Sequence, residues 1–207
     1  AITIAAPTLT KTYNGQAYTG ANLKASVSDA VIGDDPVYTM TSVTNDVNAG
    51  SYDLIITADS AKNPNYKVTV TKGNLTIMPK PITGKVTVGN TSKTYDNDAT
   101  KMPTFTVTGP AGYRTTQLDA TDFDTSKVSQ NAGSYAVTLN AAGIAKLNRN
   151  NPNFAVTAGN VQSGILTINK KDITITAPNV NKIYDGQADT GADMEASFSH
   201  HFTGDDP

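Results

Sequence analysis

Neither cysteine nor tryptophan occurs in the 207 residues. Without cysteine there are no disulfides and no thiolate metal sites, so the usual staple of small secreted domains is missing. Rigidity must then come from strand pairing and from packing between modules. Charge is sparse too: Asp, Glu, Lys and Arg make up 16% of the chain and the formal net charge is −2. With no basic block, nucleic acid and anionic membrane surfaces are not expected as partners. No apolar run in this stretch is long enough to span a bilayer, so no membrane insertion is expected of it. There is no phosphate loop, nucleophile elbow, metalloprotease helix or dinucleotide fingerprint, and the chain is expected to be non-catalytic, with no cofactor.

What remains is rich in Thr, Val, Asn, Ser and Gly. Thr and Val suit strands, while Asn and Gly suit turns, so the composition predicts an all-β fold. Apolar residues are 38% of the chain, which supports only thin cores.

Repetition is the strongest signal. Residues 2–36 and 173–207 align without a gap over 35 positions, 20 of them identical. A shorter repeat lies inside this one. Asn48–Tyr52 and Asn131–Tyr135 both read NAGSY; Asn63–Thr69 reads NPNYKVT and Asn151–Thr157 reads NPNFAVT. Gly73–Lys80 reads GNLTIMPK and Gly164–Lys171 reads GILTINKK. KTYNG at Lys11–Gly15 returns as KTYDN at Lys93–Asn97 and as KIYDG at Lys182–Gly186. Landmarks that keep their order while their spacing drifts delimit modules at 1–81, 82–171 and an incomplete third at 172–207.

Within each module the alternation of Tyr52, Leu54 and Ile56, matched by Tyr135, Val137 and Leu139, predicts a half-buried strand. Asn14-Gly15 and Asp185-Gly186 predict tight turns of positive φ, with Asn97 serving the same need. Helical spacing is confined to Ala141–Asn148. Small two-layer β-modules of immunoglobulin-like kind are the favoured architecture, with a β-grasp-like sheet around that helix as the alternative. The junctions LTIMPKPIT and LTINKKDIT carry no Gly/Ser linker, which predicts an elongated rod.

The ITI-x-A-P opening, K-x-Y-[ND]-G turn, NAGSY, NPN-[YF] and closing LTI resemble the MBG/YDG group of bacterial surface-protein repeats, found in lactobacillus adhesins and in extensions of some secreted enzymes. The resemblance implies an extracellular, cell-surface protein, attached to the cell wall through regions outside this stretch. It also implies adhesion to mucus, with mucin or another host glycoprotein as partner beside the neighbouring repeats of the chain.

Candidate site residues are few. Tyr13, Tyr95 and Tyr184 recur at one turn in every module, which favours packing at a module edge over sugar binding. Tyr18, Tyr38 and Tyr113 do not recur, so these three are the candidate binding residues. Asp34-Asp35 and Asp205-Asp206 in GDDP, and the cluster Asp119, Asp122 and Asp124, lack a full calcium ligand pattern and read as turns, so no metal site is expected. His200-His201 replace Asp29-Ala30 of the first module and lack further ligands.

Overall fold

The computed structural model describes residues 1–18, 23–42, 47–115, 118–191 and 194–205. It is mostly strand. The first module holds β1 (Ile2–Ala5), β2 (Thr8–Thr12), β3 (Ser26–Ser28), β4 (Thr39–Ser42), β5 (Gly50–Thr57), β6 (Val68–Thr71) and β7 (Gly73–Met78). A short strand β8 (Lys80–Pro81) leads into the second module. There follow β9 (Val86–Val88), β10 (Thr91–Thr94), β11 (Val107–Thr108), β12 (Phe123–Asp124) and β13 (Gly133–Leu139). A helix α1 (Ala141–Asn150), β14 (Phe154–Ala155), β15 (Val161–Gln162) and β16 (Gly164–Asn169) complete it, and β17 (Thr174–Thr176) and β18 (Ser197–Ser199) form a last hairpin.

Each full module stacks a three-stranded sheet on a four-stranded one. In the first the orders are β3-β1-β6 and β2-β7-β5-β4; in the second, β11-β9-β15 and β10-β16-β13-β12. The two layers match the expected architecture, but the sheets are mixed. β1 runs parallel to β6 and β2 parallel to β7; β9 and β10 likewise run parallel to β15 and β16.

One opening strand thus serves both sheets: its first half joins one layer and its second half crosses to the other. At the crossing the backbones nearly touch. A Cβ on Gly73 would lie 2.1 Å from the Pro7 carbonyl oxygen, and one on Gly164 would lie 2.6 Å from those of Val88 and Gly89. Only glycine fits there, which explains why the closing segment begins with Gly in both modules.

Cores sit between the layers. Ile2, Ile4 and Ile56, with Val27, Met40 and Val68 packed on them, join the first module's sheets, while Leu54, Leu75 and Ile77 form a second cluster. The second module has one larger core that includes Val86, Val88, Phe123, Val137, Leu139, Leu147, Leu166 and Ile168. Tyr52, Leu54 and Ile56 face inward as their alternation predicts, as do Tyr135, Val137 and Leu139. The helix runs two residues past its predicted end and buries Leu147; the Asn140 side chain caps it by accepting from Gly143 N–H.

The recurring motifs are side chains that hold backbone. In K-x-Y-[ND]-[GN], the lysine ammonium donates to the carbonyl five residues on: Lys11 to Gln16, Lys93 to Asp98, Lys182 to Gln187. Asn14, Asp96 and Asp185 each accept from the N–H two residues ahead. Gly15, Asn97 and Gly186 all have positive φ, so Asn97 does take the glycine's place. In NAGSY the tyrosine hydroxyl reaches back to the asparagine carbonyl, Tyr52 to Asn48 and Tyr135 to Asn131. In NPN-[YF] the first asparagine is buried: Asn63 clamps both backbone groups of Val37, and Asn151 those of Arg114.

Residues 172–205 differ. Their β17–β18 hairpin repeats the pairing of β1 with β3 and the K-x-Y turn returns, but residues 179–183, the counterpart of β2, form no strand, and Ile175 is 59% exposed where its counterpart Ile4 is fully buried. In the first module Ile4 is covered by β5 and β6. This accords with an accessible surface of 13551 Å² for 21.7 kDa, against about 9,000 Å² for a compact monomer of that mass.

Removing a buried amide that serves three backbone partners leaves them unsatisfied. Asn151→Ala is therefore expected to destabilise the second module by about 2–4 kcal/mol, read as an earlier urea or thermal transition of that module alone.

Candidate functional site

The three candidate tyrosines do not share a site. Tyr38 belongs to the first module's core, and its hydroxyl accepts from Ala25 N–H at 3.2 Å. Tyr18 packs on the Leu54, Leu75 and Ile77 cluster with the Lys11 ammonium 5.4 Å from its ring centre. Tyr113 stands apart. It lines a cleft of about 140 Å³ where the first module passes into the second.

That cleft has three walls. The linker gives Lys80, Pro81, Ile82 and Thr83; a turn of the second module gives Pro110 to Tyr113; the NPNF segment gives Phe154. Tyr113 N–H donates to Pro110 O at 3.0 Å, and Gly112 has φ 81°. The Tyr113 ring packs on the core and its hydroxyl is enclosed, with no hydrogen-bond partner among the described residues; the neighbouring Asn151 amide is bonded to Arg114 and Leu147. Burial pushes the phenol's pKa up, against a smaller opposing effect of Asn151.

The junction behind the cleft is interlocked. Tyr13, from the K-x-Y turn, meets Phe154 edge to face with ring centres 5.8 Å apart. Asn153 accepts from Ala49 N–H at 2.7 Å, donates to the Asn48 side chain at 2.9 Å, and its carbonyl accepts from Lys80 N–H at 2.9 Å. β8 in the linker extends this as a parallel partner of β14. Asn48, Ala49, Asn153 and Phe154 lie in the repeated NAGSY and NPN-[YF] segments. Sequence reasoning marked those segments as repeats without assigning them a role at the junction.

A second cleft, of about 270 Å³, lies where the second module meets residues 173–205. It reuses two of the first cleft's walls, the linker and the turn. Lys171 and Ile173 stand where Lys80 and Ile82 stood, and the turn Phe202–Asp205 repeats the hydrogen bond of Pro110–Tyr113 at 3.0 Å, with Gly204 at φ 97°. Tyr95 meets Phe202 edge to face at 5.7 Å and donates to Asp205 at 2.7 Å; the Lys171 ammonium lies 4.5 Å from the Phe202 ring centre. Its walls also carry Lys170, His200 and His201. Tyr13 and Tyr95 thus pack at module edges, whereas Tyr184 is 94% exposed.

Of the acidic candidates, Asp35 is exposed and five others are bonded. Asp34 accepts from the Tyr66 hydroxyl, as Asp205 does from Tyr95. Asp119 and Asp122 flank the Lys146 ammonium at 2.8 and 3.0 Å, and Asp124 accepts from Ser126 N–H. Asp206 lies outside the described residues. His200 and Asp29 hold one position, both at φ 62° and both bonded to the preceding serine hydroxyl, so the histidine serves the turn. Among the described residues no group of three or more His, Cys, Asp or Glu is placed to hold a metal, and no helix is long and apolar enough to cross a membrane.

Two family models match the chain, described as the MBG domain over residues 83–170 and the MBG domain of YGX type over residues 2–76. The chain belongs to the MBG domain family. A solved structure described as a cell surface adhesin from Lactobacillus reuteri is 33% identical to it, over 42% of this chain and 98% of that one, with a TM-score of 0.35. No curated protein matches. The first cleft therefore lies between the two matched segments, and the second at the end of the second matched segment.

Two expectations follow from the acidic cluster. Burial pushes the Asp122 carboxyl up, but the Asp119 N–H and the Lys146 ammonium outweigh this and hold it below the usual range. Its contribution is present above the unfolded value of about 4 and is lost as pH falls through the lower folded one. Lys146→Met should lower the neutral-pH melting temperature of the second module and flatten its acid dependence below pH 4, in thermal melts across pH 2–7. EDTA should leave the unaltered protein's melting temperature unchanged.

Proposed function

We propose that this chain is repeat region of a bacterial cell-surface adhesin, which binds mucin or another host glycoprotein weakly in each copy and extends the adhesive array from the cell wall. The observation that carries the reading is the cleft that recurs at each module boundary. A shallow cleft walled by aromatic rings and a lysine, Tyr113, Phe154 and Lys80 in the first and Tyr95, Phe202 and Lys171 in the second, offers a stacking face for a sugar ring and an ammonium for its hydroxyls. One such contact is weak. Because the boundary repeats with the module, sites multiply with copy number, and linked weak sites gain strength by effective concentration. In the first cleft the sugar platform is Tyr113 with Phe154, and Lys80 is the polar group.

Nothing in this reading calls for catalysis: the Ser199 hydroxyl and His200 ring at the second cleft hold the turn that Ser28 and Asp29 hold in the first module. A spacer stalk without a ligand, or the non-catalytic extension of a secreted carbohydrate-active enzyme, would share the elongated repeat but leave the clefts idle.

The test is mucin binding by this chain and by tandem copies of it. Monovalent affinity weaker than micromolar, rising at least about 100-fold in a multicopy array, is the expected outcome; no retention of the array on mucin would leave the spacer reading. Tyr113→Ala should reduce array binding several-fold more than Tyr18→Ala does, measured on variants whose melting curves confirm folding.

A further inference from the structure

In both full modules the strand that receives the chain and the strand that releases it lie side by side and point the same way. β2 runs along β7, and the pairing continues past its ends: Asn74 N–H donates to Pro7 O at 3.2 Å and Tyr13 N–H to Met78 O at 2.8 Å. β10 runs along β16 in the same manner, prolonged by Tyr95 N–H to Asn169 O at 2.8 Å. Tension on a tethered chain pulls the opening strand backward along its own axis and the closing strand forward. For parallel neighbours these pulls oppose each other along the strand direction, across the ladder of hydrogen bonds. Every bond in the ladder is then loaded at once. A hairpin pulled apart at its open end instead loses its bonds one after another.

Each ladder bond adds only about 1 kcal/mol net to stability. Simultaneous failure of many bonds nevertheless raises the barrier to forced unfolding, which is a kinetic property separate from equilibrium stability. The first half of the opening strand adds a second parallel ladder in the other sheet, β1 on β6 and β9 on β15. To slip β2 past β7, the chain must also drag β1 past β6. Between modules the load runs through Lys80–Pro81, which is itself paired in parallel with Phe154–Ala155.

We propose that each module is a load-bearing unit, a shear clamp that stays folded under tension applied along the chain. This holds whichever ligand the repeats bind, and it needs no covalent staple.

The test is single-molecule stretching of the chain, whose lack of cysteine leaves any attachment site free to be chosen. Pulled from its two ends, the protein should unfold its two full modules in separate steps of about 25 nm each. The comparison is a doubly substituted chain, Thr39→Cys and Thr57→Cys, with the thiols kept reduced and coupled to handles. These exposed residues face each other at the open end of the β4–β5 hairpin, so pulling there unzips the same module. Asp124→Cys with Thr138→Cys, on β12 and β13, makes the same comparison in the second module. End-to-end forces several-fold above the unzipping forces at one loading rate are the expected result. Equal forces, or lower ones end to end, would overturn the proposal. Because one folded module is compared in two directions, its equilibrium stability cancels. Circular dichroism of the variants establishes that each pair is folded, and either pair alone decides the outcome.

Discussion

A single opening strand shared between two sheets is the constraint on which this molecule depends. It is paired in parallel with the penultimate strand in one layer and with the last strand in the other. Closing a module therefore requires the chain's most distant segments to meet, a non-local pairing whose loop entropy is recovered only when the core forms. Gly73 and Gly164 exist because the strands cross at near contact. The same arrangement aligns the ends of each module with its neighbours and sets the direction in which force enters and leaves.

A thin core without disulfides needs other fastenings, and here they are polar side chains bonded to backbone. Lysine holds the K-x-Y turn, tyrosine spans NAGSY, and a buried asparagine closes NPN-[YF]. Each satisfies backbone groups in loops that no sheet reaches. The motifs recur because every module has the same loops to close. Recurrence alone is thus no sign of a binding site, and the clefts draw their interest from elsewhere, from the meeting of two modules.

At that meeting the mechanical and adhesive readings join. Asn153 ties linker, preceding module and following module together, and Tyr13 stacks on Phe154. Under the proposed reading, a boundary tied in this way would hold neighbouring clefts at a set spacing, as a repeated polymeric ligand would need for several sites to engage together.

The all-β class, the inward strand of Tyr52, Leu54 and Ile56, the left-handed role of Asn97 and the helix after Asn140 were legible from residues alone. Each rests on a local rule: alternation, turn chemistry or helical spacing. Tyr18, Tyr38 and Tyr113 looked alike in sequence, since none recurs. Only the packed structure separates them, because whether a ring meets core, lysine or cleft depends on segments far away in the chain. Parallel pairing of first and last strands is equally invisible in a strand's own pattern, as a parallel and an antiparallel neighbour can bury the same face. Sequence by itself thus determined what each segment is and how often it returns. Which segments lie beside one another was decided by tertiary structure, through the close approach at Gly73 and Gly164 and the packing of Tyr13 on Phe154.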